Sequence, residues 1–173
     1  MIYIINGTVD EGKTGKMISI YRQVRRGDGF ISQKKFAGKN SGDFIGYEIV
    51  RLSTGERKEL ARKTEHLPVR WDEVFRCGPY HFSKSGVDFA GDIIDDIISQ
   101  GIAPIFIDEI GPLEIAGKGF APLLKKALKT GKDIYLTVRN HCVEEVVKTF
   151  NIRGHRMIPV NKDDEKSDYL YFE

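Results

Sequence analysis

Eight residues near the amino terminus, Gly7-Thr8-Val9-Asp10-Glu11-Gly12-Lys13-Thr14, set two glycines, a lysine and a hydroxyl at the G-x-x-x-x-G-K-T spacing. Glycine at both edges lets a loop curl until successive backbone N–H groups point inward, which is a cradle for phosphate oxygens. A helix starting at Lys13 would add its free N–H groups and the positive end of its dipole. In that geometry Lys13 reaches the terminal phosphates and the Thr14 hydroxyl becomes a ligand for Mg²⁺. All eight positions, Gly7 to Thr14, are therefore expected to touch a bound nucleotide.

A second group of reactive residues follows the apolar run Ala103-Pro104-Ile105-Phe106-Ile107, where Asp108 and Glu109 stand side by side. An acid at the carboxyl end of a buried strand completes the metal shell of a phosphate-binding loop, so Asp108 is expected to act with Thr14. The neighbouring Glu109 is then placed to orient and polarise a water attacking the γ-phosphate. Arg139 closes another short strand, where α/β sheets put ligand-facing residues, and its expected task is to offset charge on the γ-phosphate. Catalysis thus rests on Lys13, Glu109 and Arg139, with Thr14 and Asp108 for the metal.

These residues need a frame, and the hydrophobic spacing predicts one. Ile2 to Ile5 reads as a strand and Lys16–Arg26 as a helix. Gly29–Phe36, Phe44–Leu52 and Arg57–Ala61 read as strands joined by tight turns, an antiparallel hairpin set to one side of the nucleotide core. Residues 63–80, broken by Pro68 and Pro79, read as a loop or one short helix. A helix capped by Ser83 or Ser85 buries Val87, Ala90, Ile93, Ile94, Ile97 and Ile98 and ends at Gly101. Strand 103–108, helix Phe120–Thr130, strand Ile134–Val138, helix Cys142–Phe150 and strand Met157–Val160 complete the alternation. The expected fold is a three-layer α/β domain spanning 1–173, mostly parallel, with the hairpin at 29–61 inserted.

Ile107-Asp108-Glu109-Ile110-Gly111-Pro112-Leu113-Glu114 resembles the signature of the small P-loop nucleoside-triphosphatases, a family with thermophile members and a human cancer-related one. The likeness extends through Gly46–Val50 and Leu60–Arg62, Gly78–Phe82, Gly119-Phe120 and Thr137–Arg139, nearly the whole chain. It implies a P-loop fold and Mg²⁺-dependent hydrolysis of ATP, GTP and related triphosphates, with loose base selectivity. Asp10 and Gly15 stand where many members carry a glycine and a second threonine. An acid there opposes the triphosphate charge and favours slower turnover.

Composition excludes several other classes. Acids and bases nearly balance at a net charge of +2, which signals neither a nucleic-acid nor a membrane partner. The basic cluster of Arg22, Arg25, Arg26, Lys34, Lys35 and Lys39 lacks interleaved aromatics and reads as a solvated surface rather than a polynucleotide track. Cys77 and Cys142 fit no metal or redox spacing and are expected to be reduced, buried or half-buried thiols of a cytoplasmic protein. The four histidines show no ligand spacing. Trp71, Tyr80 and Phe82 are expected to pack, with base stacking as the alternative.

Asn161-Lys162-Asp163-Asp164 spells N-K-x-D and Asp108–Gly111 spells D-x-x-G, so a guanine-reading site is an alternative, with Asp164 accepting from the base. Only nine residues follow Asp164, which argues against it. Glu114 is open between a second acid and a partner of Arg139 or the loop. Two further alternatives to hydrolysis stay open: a kinase passing phosphate to a small acceptor, and a nucleotide-binding adapter with little turnover.

Overall fold

The computed structural model describes residues 1–8, 11–38 and 41–160. Strand β1 (Ile2–Gly7) leads through the phosphate loop to helix α1 (Lys13–Val24). Strands β2 (Asp28–Phe36), β3 (Phe44–Arg51) and β4 (Arg57–Lys63) follow, and then β5 (Glu73–Cys77) and β6 (Tyr80–Ser83). The rest alternates: α2 (Lys84–Ser99), β7 (Ile105–Ile110), α3 (Pro112–Ile115), α4 (Ala121–Lys129), β8 (Ile134–Arg139), α5 (Val143–Thr149) and β9 (His155–Pro159).

The strands form one nine-stranded sheet in the order β5-β6-β4-β3-β2-β7-β8-β1-β9. From β2 to β9 the neighbours run parallel, and from β2 outward through β3, β4, β6 and β5 they run antiparallel. The hairpin is present with the expected strands. It is not set apart from the core, however, because β2 pairs in parallel with β7 through Asp28, Gly29 and Phe30. A β-carbon on Gly29 would lie 1.9 Å from the Phe106 carbonyl oxygen, so the close β2–β7 approach requires glycine there.

Alternation along the strands builds the three layers. Ile4, Phe30, Ile105 and Ile107 face α2, α4 and α5, whose Ile93, Ile94, Leu124 and Val146 are buried against them. Ile5, Ile31 and Phe106 face the other way, onto Met17 and Ile18 of α1. A two-residue period against a helical period on each side is what a sheet covered on both faces demands.

Two local outcomes depart from the sequence expectations, and one open choice is resolved. Residues 63–80 hold a short helical turn at Thr64–His66, but also the strand β5 and the start of β6. β5 is the sheet edge, with β6 between it and β4, and the largely exposed β5 has too weak a burial pattern to show as alternation. Ser83, rather than Ser85, caps α2: its hydroxyl accepts from the Gly86 amide at 3.0 Å and donates to the Glu59 carbonyl at 2.6 Å. Cys142 is buried as expected, whereas Cys77 is exposed because β5 lies on the edge strand. No helix among the described residues is long and apolar enough to cross a membrane.

Candidate active site

The topology brings the reactive residues to one end of the sheet. In a parallel sheet the carboxyl ends of neighbouring strands coincide, so Gly7 of β1, Arg139 of β8 and Asp108-Glu109 of β7 converge. β8 lies between the loop-bearing strand and the acid-bearing strand. Gly12 adopts φ 79° as it leads into α1, a left-handed turn that glycine takes without a steric penalty.

Lys13 is 7 % exposed, and its ammonium donates to the Thr8 carbonyl across the loop. Thr14 Oγ1 donates to Asp108 Oδ2 at 2.9 Å, the contact that joins the two halves of the site. Asp108 is fully buried and draws two more donors: the Ser32 amide of β2 at 3.0 Å and the Thr137 hydroxyl of β8. Burial pushes its carboxyl above the ordinary range, while the bonds from Thr137, Ser32 and Thr14 and the charge of Lys13 oppose that rise.

Glu109 sits at φ 67°, a left-handed conformation uncommon for a side chain other than glycine and characteristic of residues held for function. Its amide donates to Thr137 Oγ1 at 2.7 Å, which holds that conformation from β8. Glu109 is an exposed residue overall, and it forms part of the wall of a cavity. Desolvation, then the adjacent Asp108, push the Glu109 carboxyl up to about 7, with Arg139 and Lys13 pulling the other way. A carboxyl in that range is matched to proton transfer near neutrality.

The structure thus unites Gly7, Thr8, Glu11, Gly12, Lys13, Thr14, Asp108, Glu109 and Arg139 around one sheet end. Val9 and Asp10 of the loop, and the whole Asn161–Asp164 motif, lie outside the described residues. Within the loop the acid in view is Glu11, whose carboxylate accepts from the Thr8 amide. Hydrogen bonding from the Thr8 side chain, and then from this amide, lowers the Glu11 pKa, and the amide bond occupies an N–H expected to meet phosphate.

Glu114 makes no hydrogen bond to Arg139 among the described residues; its bonds go to backbone amides. It is 3 % exposed and accepts from the Gly111 amide at 2.9 Å and the Phe120 amide at 3.0 Å. It ties down the turn after β7, and its bond to Gly111 takes the amide of the D-x-x-G pattern. His81 is buried, with Nδ1 2.5 Å from Glu73 Oε2 and Nε2 3.1 Å from Thr64 Oγ1, a contact that braces β5 and β6.

Two positioning residues escape the motif search. Thr137 is a buried hydroxyl in an apolar strand, a mismatch visible in Ile134–Val138 but silent about its partner. Ser32 contributes only its backbone amide, which leaves no trace in a side-chain pattern.

The metal test turns on the donor set. Thr14 and Asp108 present hard oxygens 2.9 Å apart beside the phosphate loop. Mg²⁺ is held by one or two such protein ligands with phosphates and waters supplying the rest, so the pair fits it.

Comparison with known proteins places the whole chain. A family model described as NTPase matches residues 2–171. The nucleoside-triphosphatase THEP1 of Thermotoga maritima is 25 % identical over 167 residues, covering 96 % of this chain and 90 % of the relative. THEP1 of Thermococcus kodakarensis is 29 % identical over 154 residues, covering 81 % and 77 % respectively. The crystal structure of THEP1 from Aquifex aeolicus superposes with a TM-score of 0.70 at 20 % identity, covering 98 % of this chain and 95 % of that one. The solution structure of a human cancer-related nucleoside triphosphatase gives 0.63 at 22 % identity, with coverage of 95 % and 90 %. At these identities the superpositions show the fold, and the family match carries the rest: the chain belongs to the NTPase family and is by that membership a nucleoside-triphosphatase.

Proposed function

We propose that the chain hydrolyses ATP and GTP to the diphosphate and phosphate, with Mg²⁺, using Lys13, Glu109 and Arg139. The supporting observation is the Thr14–Asp108 hydrogen bond, which sets a metal-binding hydroxyl and acid together beside Glu109. Mg²⁺ held by Thr14 and Asp108 would supply charge neutralisation at the β- and γ-phosphates. Lys13 exchanges its bond to the Thr8 carbonyl for the terminal phosphates, and the Gly7–Thr14 amides take the remaining oxygens. Glu109 accepts the proton of the attacking water while its own amide stays fixed on Thr137. Arg139, beside Glu109, offsets charge on the γ-phosphate.

In an assay of phosphate release from ATP and GTP with Mg²⁺, wild type turns over and both Lys13→Ala and Glu109→Gln lose activity by about a hundredfold or more. Glu109→Gln retains nucleotide binding. Binding by the wild type with no release would overturn the hydrolase reading in favour of an adapter.

A further inference from the structure

Beyond Glu109 the site opens into a cavity of about 330 Å³ between the antiparallel half of the sheet and the α3 turn. None of the described phosphate-loop residues lines it. It therefore meets the catalytic centre at one end only, where Glu109 and Arg139 form part of its wall. Ser32 and Glu114 also line it, the Glu114 carboxyl being bonded to the Gly111 and Phe120 amides, and the rest of the wall is mainly apolar and ring-rich. Phe75 and Phe82 stack at 4.6 Å, with planes 19° apart, and Tyr47 and Tyr80 meet at 5.5 Å. Phe120 and Val87 add further apolar surface.

Hydrolysis needs space for one nucleophilic water, roughly 30 Å³. The observed space exceeds that about tenfold and matches the low end of small-molecule sites. Flat aromatic walls are a poor host for water clusters and for highly charged ligands, whose desolvation they do not offset. They suit a ring or short hydrocarbon body carrying a single polar end. That polar end has one favourable direction, toward Glu109 and Arg139.

We propose that this cavity binds a small, neutral, largely apolar alcohol as a phosphoryl acceptor, so that water attacks only when the cavity lacks one. The inference rests on the reading above that the nucleotide places its γ-phosphate at Glu109. In the transfer, the acceptor hydroxyl oxygen forms a bond to the γ-phosphorus as the bond from phosphorus to the β,γ-bridging oxygen breaks. The hydroxyl proton passes to the Glu109 carboxylate, and the bridging electrons leave with the nucleoside diphosphate. The product is a phosphate monoester, and no oxidant or reductant is required.

The probe is 3-phenylpropan-1-ol, with glycerol as the polar control, incubated with ATP, Mg²⁺ and the full chain. Phosphate and phosphate ester are resolved by ³¹P NMR. Occupancy is read independently of turnover from the alkylation rate of Cys77, an exposed thiol on the cavity wall, with Cys142 buried elsewhere. The expected result is phenylpropyl phosphate alongside free phosphate, slowed Cys77 alkylation, and little ester from glycerol. Val87→Trp fills the cavity and lowers the ester-to-phosphate ratio by about tenfold or more. Phe75→Ala, a milder change at the sheet edge, raises the alcohol concentration needed for half-maximal ester. Unchanged Cys77 alkylation with no ester overturns the proposal, as does slowed alkylation without ester or equal transfer to glycerol. Absence of phosphate release without alcohol would instead count against the hydrolase reading, and the two failures are separable in one experiment.

Discussion

Thr137→Val tests whether β8 holds the two acids in place. The native hydroxyl donates its proton to Asp108 Oδ1 and accepts from the Glu109 amide at 2.7 Å, at a fully buried position. Valine keeps the shape, so no cavity term arises, but both polar partners lose their bond. Leaving the part-buried Glu109 N–H unpaired costs at most about 1–3 kcal/mol, and a bond to a carboxylate is worth about 1.5–3 kcal/mol. Gain from the extra methyl and relaxation toward other donors offset part of this, giving a net loss of about 2–4 kcal/mol. For a chain of this size that lowers Tm by about 5–15 °C in a nucleotide-free melt. Thr137→Ser retains the hydroxyl and should lose only about 1 kcal/mol for the missing methyl. The Mg²⁺ concentration for half-maximal phosphate release should also rise about tenfold or more in the valine variant, because a residue orienting a metal ligand has been removed. A valine variant as stable as wild type, or a serine variant as damaged as valine, would refute the role assigned to this hydroxyl.

Other expectations follow from the same structure. Glu11→Gln removes a negative charge that holds the Thr8 amide, so the nucleotide Kd should fall severalfold in a titration with fluorescent ATP. Gly29→Ala drives a methyl into the Phe106 carbonyl and should cost about 3 kcal/mol or more in denaturant unfolding, or prevent soluble expression. Asp96 is held below the ordinary carboxylate value of 3.8 by bonds from Arg51 and then Gln100. Its contribution is present above pH 4 or so and is lost as pH falls through its folded pKa. Asp96→Asn should therefore lower Tm at pH 7, with the gap to wild type closing as the pH falls below 3.8 and through the lowered pKa.

The phosphate loop was readable because it is local: eight successive residues carry both the turn geometry and the reactive groups. Asp108-Glu109 was readable because an apolar strand announces its own end. The helices α2 and α4 showed through their buried faces, Ile93, Ile94 and Ile97 in one and Leu123, Leu124 and Ala127 in the other. What stayed hidden was nonlocal. Ser32 serves through a backbone amide and Thr137 through a partner 29 residues away, and neither role has a periodicity. Glu114 lies six residues from Phe120, and only the folded turn shows that its carboxylate is used up on amides. β5 escaped because an exposed edge strand lacks alternation, and β6 because four residues are too short a run to establish a period. The cavity was illegible for a related reason, since Tyr47, Phe75, Phe82, Glu109 and Phe120 come from five separate stretches.

The root of the hairpin has a consequence for how such chains can be altered. The Ser32 amide that steadies Asp108 and the Gly29 that abuts Phe106 both belong to the span 29–61. A segment that looks removable along the sequence is therefore inseparable in energy, since excising it strips a donor from the buried Asp108 and bares the flank of β7. Its far end is different: Phe36 and Phe44 meet edge to face at 6.0 Å, and the Ala37 amide donates to the Asp43 carbonyl at 2.9 Å, closing the hairpin before its tip. Doubling the length of the connection beyond that clasp costs only about 0.6 kcal/mol of closure entropy. Foreign peptides or labels grafted there should leave the chemistry intact, so the hairpin is a handle whose tip is free to vary and whose root is not.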